Sequence, residues 1–317
     1  MADDSSIDNA EVFVYTDGVV VPEDVVRVRV HPSVTVIPEG AFDSCDALEE
    51  VELCEGLLEI GTRAFIHCNT LTRIKIPSTV TRIFWGYFQC RQLEDVELCE
   101  GNLQEISVRA FSETKIKRIK IPSTVTLINH YAFGNCISLD DIEFCDGLQD
   151  INCHAFEGCQ SLKHIAIPTT VAKIASGAFR NCSSLRNIAI PLNADIGVGN
   201  TFSGCKDLYK LFDSEVQIIN ALKHRFDNLP IHKMIHYQTY EPVSVDQLND
   251  ATNMRRGQKR SLRNKLDPSG SQQDCLGMTP LHILACSSTV QNLELYRVLI
   301  AKYPETLITE DRWGAIP

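Results

Sequence analysis

A phenylalanine returns along this chain on a nearly fixed beat, at Phe42, Phe65, Phe88, Phe111, Phe133, Phe156, Phe179 and Phe202. The spacings are 23, 23, 23, 22, 23, 23 and 23 residues, and Ala precedes six of the eight. A unit of that length cannot bury a core alone and must stack on its neighbours, so the expected fold is a solenoid. In Leu71-Thr-Arg-Ile74-Lys-Ile76-Pro77 the inward positions are Leu71, Ile74 and Ile76, while Arg73 and Lys75 alternate to the other face. Pro77 then ends the strand by withholding a ladder N–H. The same frame fits each later unit and also Val25/Val28/Val30, which places a strand before the first Phe.

The units come in pairs. One kind ends its strand in Cys-Glu/Asp-Gly (Cys54, Cys99, Cys145) and the other in Pro-Ser/Thr-Thr (Pro77, Pro122, Pro168), a 46-residue double beat. Charge follows it. One outward column reads Arg27, Glu50, Arg73, Asp95, Arg118, Asp141 and the second reads Arg29, Glu52, Lys75, Glu97, Lys120, Glu143, so every neighbour is opposite in sign. Two readings are open: the columns neutralise themselves and set strand register, or they form a stripe for a partner of matching alternation. Paired charges leave a partner little unspent field, which favours the first.

With its apolar-x-x-Ile-x-x-x-Ala-Phe-x-x-Cys-x-x-Leu-x-x-Ile-x-Ile unit, the segment 25–212 resembles the BspA-type leucine-rich repeats. The resemblance implies a leucine-rich-repeat solenoid, mainly β, with strands on its concave and convex sides, used for protein or surface recognition without catalysis. Several members of that family are secreted adhesins. Here the N-terminus, Met-Ala-Asp-Asp-Ser-Ser-Ile-Asp, has neither the basic nor the apolar stretch of a signal peptide.

Thirteen cysteines without such a signal point to a reducing, cytoplasmic setting and to free thiols. Seven belong to the repeat: Cys45, Cys68, Cys136, Cys159, Cys182 and Cys205 lie three residues after the Phe, and Cys90 lies two after. The net charge is −11, and residues 1–24 hold seven acidic side chains with no Lys or Arg. The near-balanced remainder offers no field for nucleic acid, and no apolar run is long enough to cross a membrane.

From the seventh strand the columns change, to His164, Asn187, Lys210 and to Ala166, Ala189, Phe212, flanked by Lys163, Arg186 and Tyr209. His164, Arg186, Asn187, Tyr209, Lys210 and Phe212 are the candidate protein-binding residues; the other reading is a cap where a downstream helix docks. That helix is expected from the capping-box pattern Ser214-Glu-Val-Gln217, with Val216, Ile219, Leu222 and Phe226 on one stripe and Pro230 as its limit. His232 and His236 stand four apart, but no third ligand completes a metal site.

The expected organisation is an acidic N-terminal cap segment over 1–24, the solenoid over 25–212 and a helical cap over 213–248. A basic polar linker follows over 249–273, then a partial ankyrin-like segment over 274–317. The run Arg255, Arg256, Lys259, Arg260, Arg263, Lys265 is a solvated tether, a nuclear signal or an attractor of an anionic partner, the first being favoured. Asp274-Cys-Leu-Gly277-Met278-Thr279-Pro280-Leu281-His282 resembles the opening of an ankyrin repeat, in which Thr and His brace the helix start. The related Asp311-Arg-Trp-Gly314-Ala-Ile-Pro317 follows 37 residues later, against about 33 for that family. One such unit cannot bury its faces, so the segment is either truncated or folded back on something else.

No phosphate-binding loop, nucleophile elbow or paired-Cys zinc spacing occurs, and no cofactor is expected. The expected function is a non-catalytic, monomeric protein–protein interaction scaffold with an unidentified protein partner. The alternative is a surface adhesin without a visible secretion signal. If the charge columns hold register, Glu97→Lys lowers the melting temperature in a thermal scan; an unchanged temperature counts against them.

Overall fold

The computed structural model describes residues 12–83, 90–197, 199–227, 229–237, 243–253, 270–286 and 293–317. Phe88 and the basic run 255–265 lie outside the described residues. The described residues between 12 and 197 wind as a β-solenoid of about seven turns. The first strand, β1 (Val12–Tyr15), pairs in parallel with β2 (Arg27–Val30) and extends the regular strands into the segment expected to be an acidic cap. Thereafter each turn contributes two strands. Short outer strands are β3 (Val36–Ile37), β5 (Glu59–Ile60), β7 (Arg82–Ile83), β9 (Glu105–Ile106), β11 (Leu127–Ile128), β13 (Asp150–Ile151), β15 (Lys173–Ile174) and β17 (Asp195–Ile196). Inner strands are β4 (Glu50–Glu52), β6 (Arg73–Ile76), β8 (Asp95–Leu98), β10 (Arg118–Lys120), β12 (Asp141–Glu143), β14 (His164–Ala166) and β16 (Asn187–Ala189).

Between the two rows runs the aromatic core. Phe42 stacks on Phe65 at 4.9 Å between ring centroids. Phe111, Phe133, Phe156, Phe179 and Phe202 continue at 5.6, 5.3, 5.6 and 5.8 Å, with ring planes within 20° of parallel. Tyr15 closes the near end against Phe42 at 5.1 Å. Parallel rings at this spacing are offset stacks, which add about 0.5–1.5 kcal/mol each to the burial of the rings.

The turn that carries each Phe explains its flanking residues. Ala64, Ala110, Ala132, Ala155 and Ala178 are buried, which leaves room only for a methyl group before the ring. Two residues after the Phe the backbone is left-handed: Ser44 (φ 60°), His67 (62°), Glu113 (63°), Asn135 (58°), Gly158 (76°), Asn181 (59°) and Gly204 (79°). Glycine at position 158 leaves space for Asn135 of the turn before, whose Oδ1 would lie 2.4 Å from a Cβ there and would have to turn aside. The cysteine one residue further on donates its thiol to the Phe carbonyl of the preceding turn. The distances are 3.1 Å for Cys68 to Phe42, 3.0 Å for Cys136 to Phe111, 3.2 Å for Cys159 to Phe133 and 3.1 Å for Cys182 to Phe156. All thirteen cysteines are free. Burial pushes the Cys136 thiol up to about 11 and the Cys205 thiol up to about 12.

Beyond the coil the described residues form six helices, α1 (Lys206–Tyr209), α2 (Glu215–Lys223), α3 (Pro230–His236), α4 (Val245–Thr252), α5 (Pro280–Ala285) and α6 (Leu293–Lys302), followed by a 3-10 turn Pro304–Ile308. In α2, Ser214 caps the Gln217 N–H as expected, but Gln217 Oε1 accepts from Asp213 and not from Ser214, so the box is incomplete. Its buried face is Ile218 and Leu222, while Val216 is 77% exposed. Complete capping boxes stand instead at Ser244/Gln247 and Thr279/His282. α4 runs through 249–252, so part of the segment expected to be a linker is helical. α3 packs on α5, α4 on α6, and α2 on β16.

Truncating one stacked ring leaves its neighbours facing a void. Phe156→Ala is expected to destabilise the chain by about 3–5 kcal/mol in denaturant titration.

Candidate functional site

The concave face is built from the inner strands. Its register places Arg27 opposite Glu50 and Arg29 opposite Glu52, Arg73 opposite Asp95 and Lys75 opposite Glu97, and Arg118 opposite Asp141 and Lys120 opposite Glu143. These are the two columns of alternating sign. Hydrogen-bonded ladders join β2 to β4, β6 to β8, β10 to β12 and β14 to β16, so in the first three couplets a basic strand is tied to the acidic strand after it. Ion pairs follow: Arg29–Glu52 at 2.5 Å, Lys75–Glu97 at 2.7 Å, Lys120–Glu143 at 3.4 Å and Arg27–Glu50 at 3.6 Å. Being solvated, each contributes little to stability on its own.

At the far end of this face the helical region docks, and the joint turns on Arg225. Arg225 is buried and donates to Asn187 Oδ1 at 2.5 Å, to the Ile188 carbonyl at 2.9 Å and to Asp274 at 2.8 Å. Both charged side chains of the Arg225–Asp274 pair are wholly shut from solvent. The second oxygen of Asp274 accepts the N–H groups of Leu276 and Met278, at 2.8 and 3.0 Å, so the carboxylate is fully used. Such a pair holds only while both partners stay in place, since an orphaned buried charge is costly.

Around Arg225 lies a histidine cluster. His164 of β14 meets His236 of α3 edge-on at 5.5 Å, and His236 also packs on Phe226 and Tyr237. His232 points Nε2 at the carbonyls of Gln272 and Met278, at 3.0 and 3.1 Å, which fixes its proton on that nitrogen. Nδ1 of all three rings and Nε2 of His236 are buried without a hydrogen-bond partner. Burial drives the imidazoles of His164 and His232 down to about 4, and that of His236 well below its ordinary value. No group of three or more His, Cys, Asp or Glu is placed to hold a metal ion among the described residues.

The six candidate binding residues separate into two groups. Asn187 is wholly buried under Arg225, His164 faces His236, and Phe212 packs partly buried against the core. Arg186, Tyr209 and Lys210 stay accessible on the rim of the joint. Arg186 and Lys210 converge on Asp207 at 2.6 and 2.7 Å. Burial acts against ionisation of Asp207, yet these hydrogen bonds hold its carboxyl below the usual range. Trp313, from the last loop, donates its indole N–H to the Asp207 carbonyl at 3.3 Å and lies under the Arg186 guanidinium, 5.6 Å from the ring centroid. Sequence reasoning missed Arg225, Asp274 and Trp313. None falls on the repeat, and Arg225 reaches Asp274 across 49 residues.

A family model described as BspA type leucine rich repeat region, in six copies, matches residues 24–140 and 126–244, well over half of the chain. The chain belongs to that family. Leucine-rich repeat proteins typically serve protein interaction or surface recognition, and the family is generally non-enzymatic. Among solved structures, a leucine rich cell surface protein of Faecalibacterium prausnitzii is 29% identical over 58% of this chain and 58% of its own, with a TM-score of 0.40. A T. pallidum leucine rich repeat protein is 27% identical over 50% of this chain and 64% of its own, with a TM-score of 0.36. A Bacteroides ovatus leucine-rich repeat protein is 24% identical over 57% of this chain and 70% of its own, with a TM-score of 0.26. The chain thus spans little more than half the length of the F. prausnitzii protein. No curated protein matches it.

The family match ends at 244, and no comparison supports the ankyrin resemblance of 274–317. The geometry there is nevertheless repetitive. Asp274 and Asp311 each receive the N–H groups two and four residues on, and the Thr279/His282 box braces the start of α5. His282 Nδ1 accepts from Thr279, so its Nε2 donates to the Ala315 carbonyl at 3.0 Å.

The buried histidines make the joint sensitive to acid. In the unfolded chain an imidazole takes up its proton near pH 6.5; His164 and His232 in place resist down to about 4. Between those values the unfolded state binds more protons, so stability rises with pH and is lost as pH falls through the window. Thermal scans from pH 7 to pH 4.5 are expected to show a falling melting temperature. His236→Phe, which keeps the ring packing without the basic nitrogens, is expected to flatten that fall.

Proposed function

We propose that this chain is a non-catalytic protein-interaction scaffold whose contact surface is the rim where solenoid and helical region meet. The observation that carries the reading is the accessible cluster of Arg186, Tyr209 and Lys210 beside Trp313, set on a rigid seam. Arginine and aromatic side chains held rigidly are the groups that anchor protein interfaces. Elsewhere on the concave face the columns pair with one another, which leaves less for a partner to use. The buried groups of the site serve packing: the histidines are walled in, and the Asp274 carboxylate is spent on Arg225 and two backbone N–H groups. The thirteen free thiols support a reducing compartment, in keeping with a cytoplasmic protein.

Affinity capture from native cells with cross-linking tests this. Proteins enriched by the wild-type chain are expected to fall at least about fivefold with Tyr209→Ala/Lys210→Glu, a loss of roughly 1 kcal/mol, and to persist with Glu52→Lys on the concave face. Loss with Glu52→Lys alone would move the contact to the concave columns. Thiol titration of the denatured, unreduced protein is expected to return all thirteen thiols, and a much lower number would refute the reducing compartment.

A further inference from the structure

The outer row of short strands is continuous except at one place. β3, β5 and β7 form one ladder and β9, β11, β13, β15 and β17 another, and β7 is not laddered to β9. The cause lies in the turn before β9. In two of the three Cys-Glu/Asp-Gly turns a leucine follows the cysteine by three residues (Cys54 to Leu57, Cys145 to Leu148), but Cys99 to Leu103 is four, and Asn102 is the extra residue. The turn stays anchored at its start, where the Asn102 N–H reaches the Ser78 carbonyl at 3.0 Å. Past that point it is out of step. In the other turns the carbonyl at this position accepts from the next turn, Leu58 from Thr81, Thr126 from Gln149 and Gln149 from Ala172. Among the described residues the Thr81 carbonyl accepts nothing and the Gln104 N–H donates to nothing.

A groove of about 890 Å³ opens across three turns at this break, within the size range of ligand sites. Its lining is polar and almost neutral. Asn102 and Gln104 form the middle, Thr81 one wall, and Ser123 and Thr126 the other. The side-chain amides of Asn102 and Gln104 have no hydrogen-bond partner among the described residues. The hydroxyls of Thr81 and Thr126 donate to the carbonyls of Leu58 and Gln104, at 3.1 and 3.4 Å, which leaves their lone pairs for an incoming donor. The one ion pair at the edge, Arg82–Glu59 at 3.9 Å, cancels itself.

We propose that this groove binds a neutral oligosaccharide. Two free amides, two hydroxyls with spare lone pairs and an unpaired carbonyl and N–H make a dense mix of donors and acceptors, which matches a ligand whose every hydroxyl does both. A phosphate or carboxylate would find no unpaired cation in the described lining, and an apolar ligand would find no large apolar side chain there. The described lining holds a single carboxylate, that of Glu59, and glycoside hydrolysis needs two, so the groove retains its ligand and does not cleave it. The site lies on the outer strands and is independent of the protein contact proposed above.

Saturation-transfer difference NMR on the full chain, with cellotetraose, maltotetraose and laminaritetraose as probes and glucose 6-phosphate as the charged control, tests the proposal. At least one tetrasaccharide is expected to bind with a Kd below about 10 mM. Its affinity should drop at least about fivefold in Asn102→Ala/Gln104→Ala, as for losing one or more hydrogen bonds, and stay unchanged in Lys210→Glu. Both altered side chains are exposed, and an unchanged melting temperature verifies the fold; Gln104→Lys, which fills the groove, is the second variant. Absence of transfer from all three probes, undiminished affinity in both variants, or equal binding of glucose 6-phosphate overturns the proposal.

Discussion

Among the described residues the repeat phenylalanines stack ring on ring from turn to turn, Phe42 on Phe65 and then Phe111 through Phe202, and the residues around them serve that contact. The spacing of the described rings, 4.9 to 5.8 Å, matches the rise of a β-coil, so the stacks run inside the ladder along the axis. Alanine before the ring keeps the turn tight, a left-handed residue two places after it reverses the chain, and the next thiol caps the carbonyl of the ring below. Thr114 stands where the fourth unit would have its cysteine. Its hydroxyl donates to the Phe111 carbonyl of its own turn at 2.9 Å and meets the Cys136 thiol of the next turn at 3.4 Å.

Because periodic contacts are written periodically, this part of the structure was legible in the residues. The alternating columns were read as Arg27 beside Glu50 and Lys75 beside Glu97, and the strands pair in that register. The joint was not legible, since Arg225 and Asp274 meet across 49 residues without a repeat to announce them. Of the apolar stripe Val216, Ile219, Leu222 and Phe226, Leu222 is buried and Ile219 and Phe226 pack partly buried against the core, but Val216 is exposed and Ile218 takes the inward place. The break in the outer row was hidden for a different reason. Cys90 lies two residues after Phe88 instead of three, and that deletion offsets the insertion of Asn102, so the interval from Phe88 to Phe111 remains 23.

The joint also shows why the alternating charges cease at the irregular end of the concave face. Asn187, Ala166 and Ala189 are buried there, and a charged column continued into that region would have been desolvated by the docking helices. Asn187 can accept from Arg225 without carrying a charge of its own, and the alanines let the helices approach. What reads in sequence as the decay of a pattern is the footprint of an intramolecular interface, with Arg186, Tyr209 and Lys210 left at its margin.

The column of buried thiols has a consequence for how the coil can be observed. Burial holds Cys136 and Cys205 far from ionisation, and each hydrogen-bonds a carbonyl one turn back, so none can be alkylated while its turn is closed. One such group sits in nearly every turn. The rates at which the individual cysteines become labelled would therefore chart, turn by turn, how often the coil opens between its two ends.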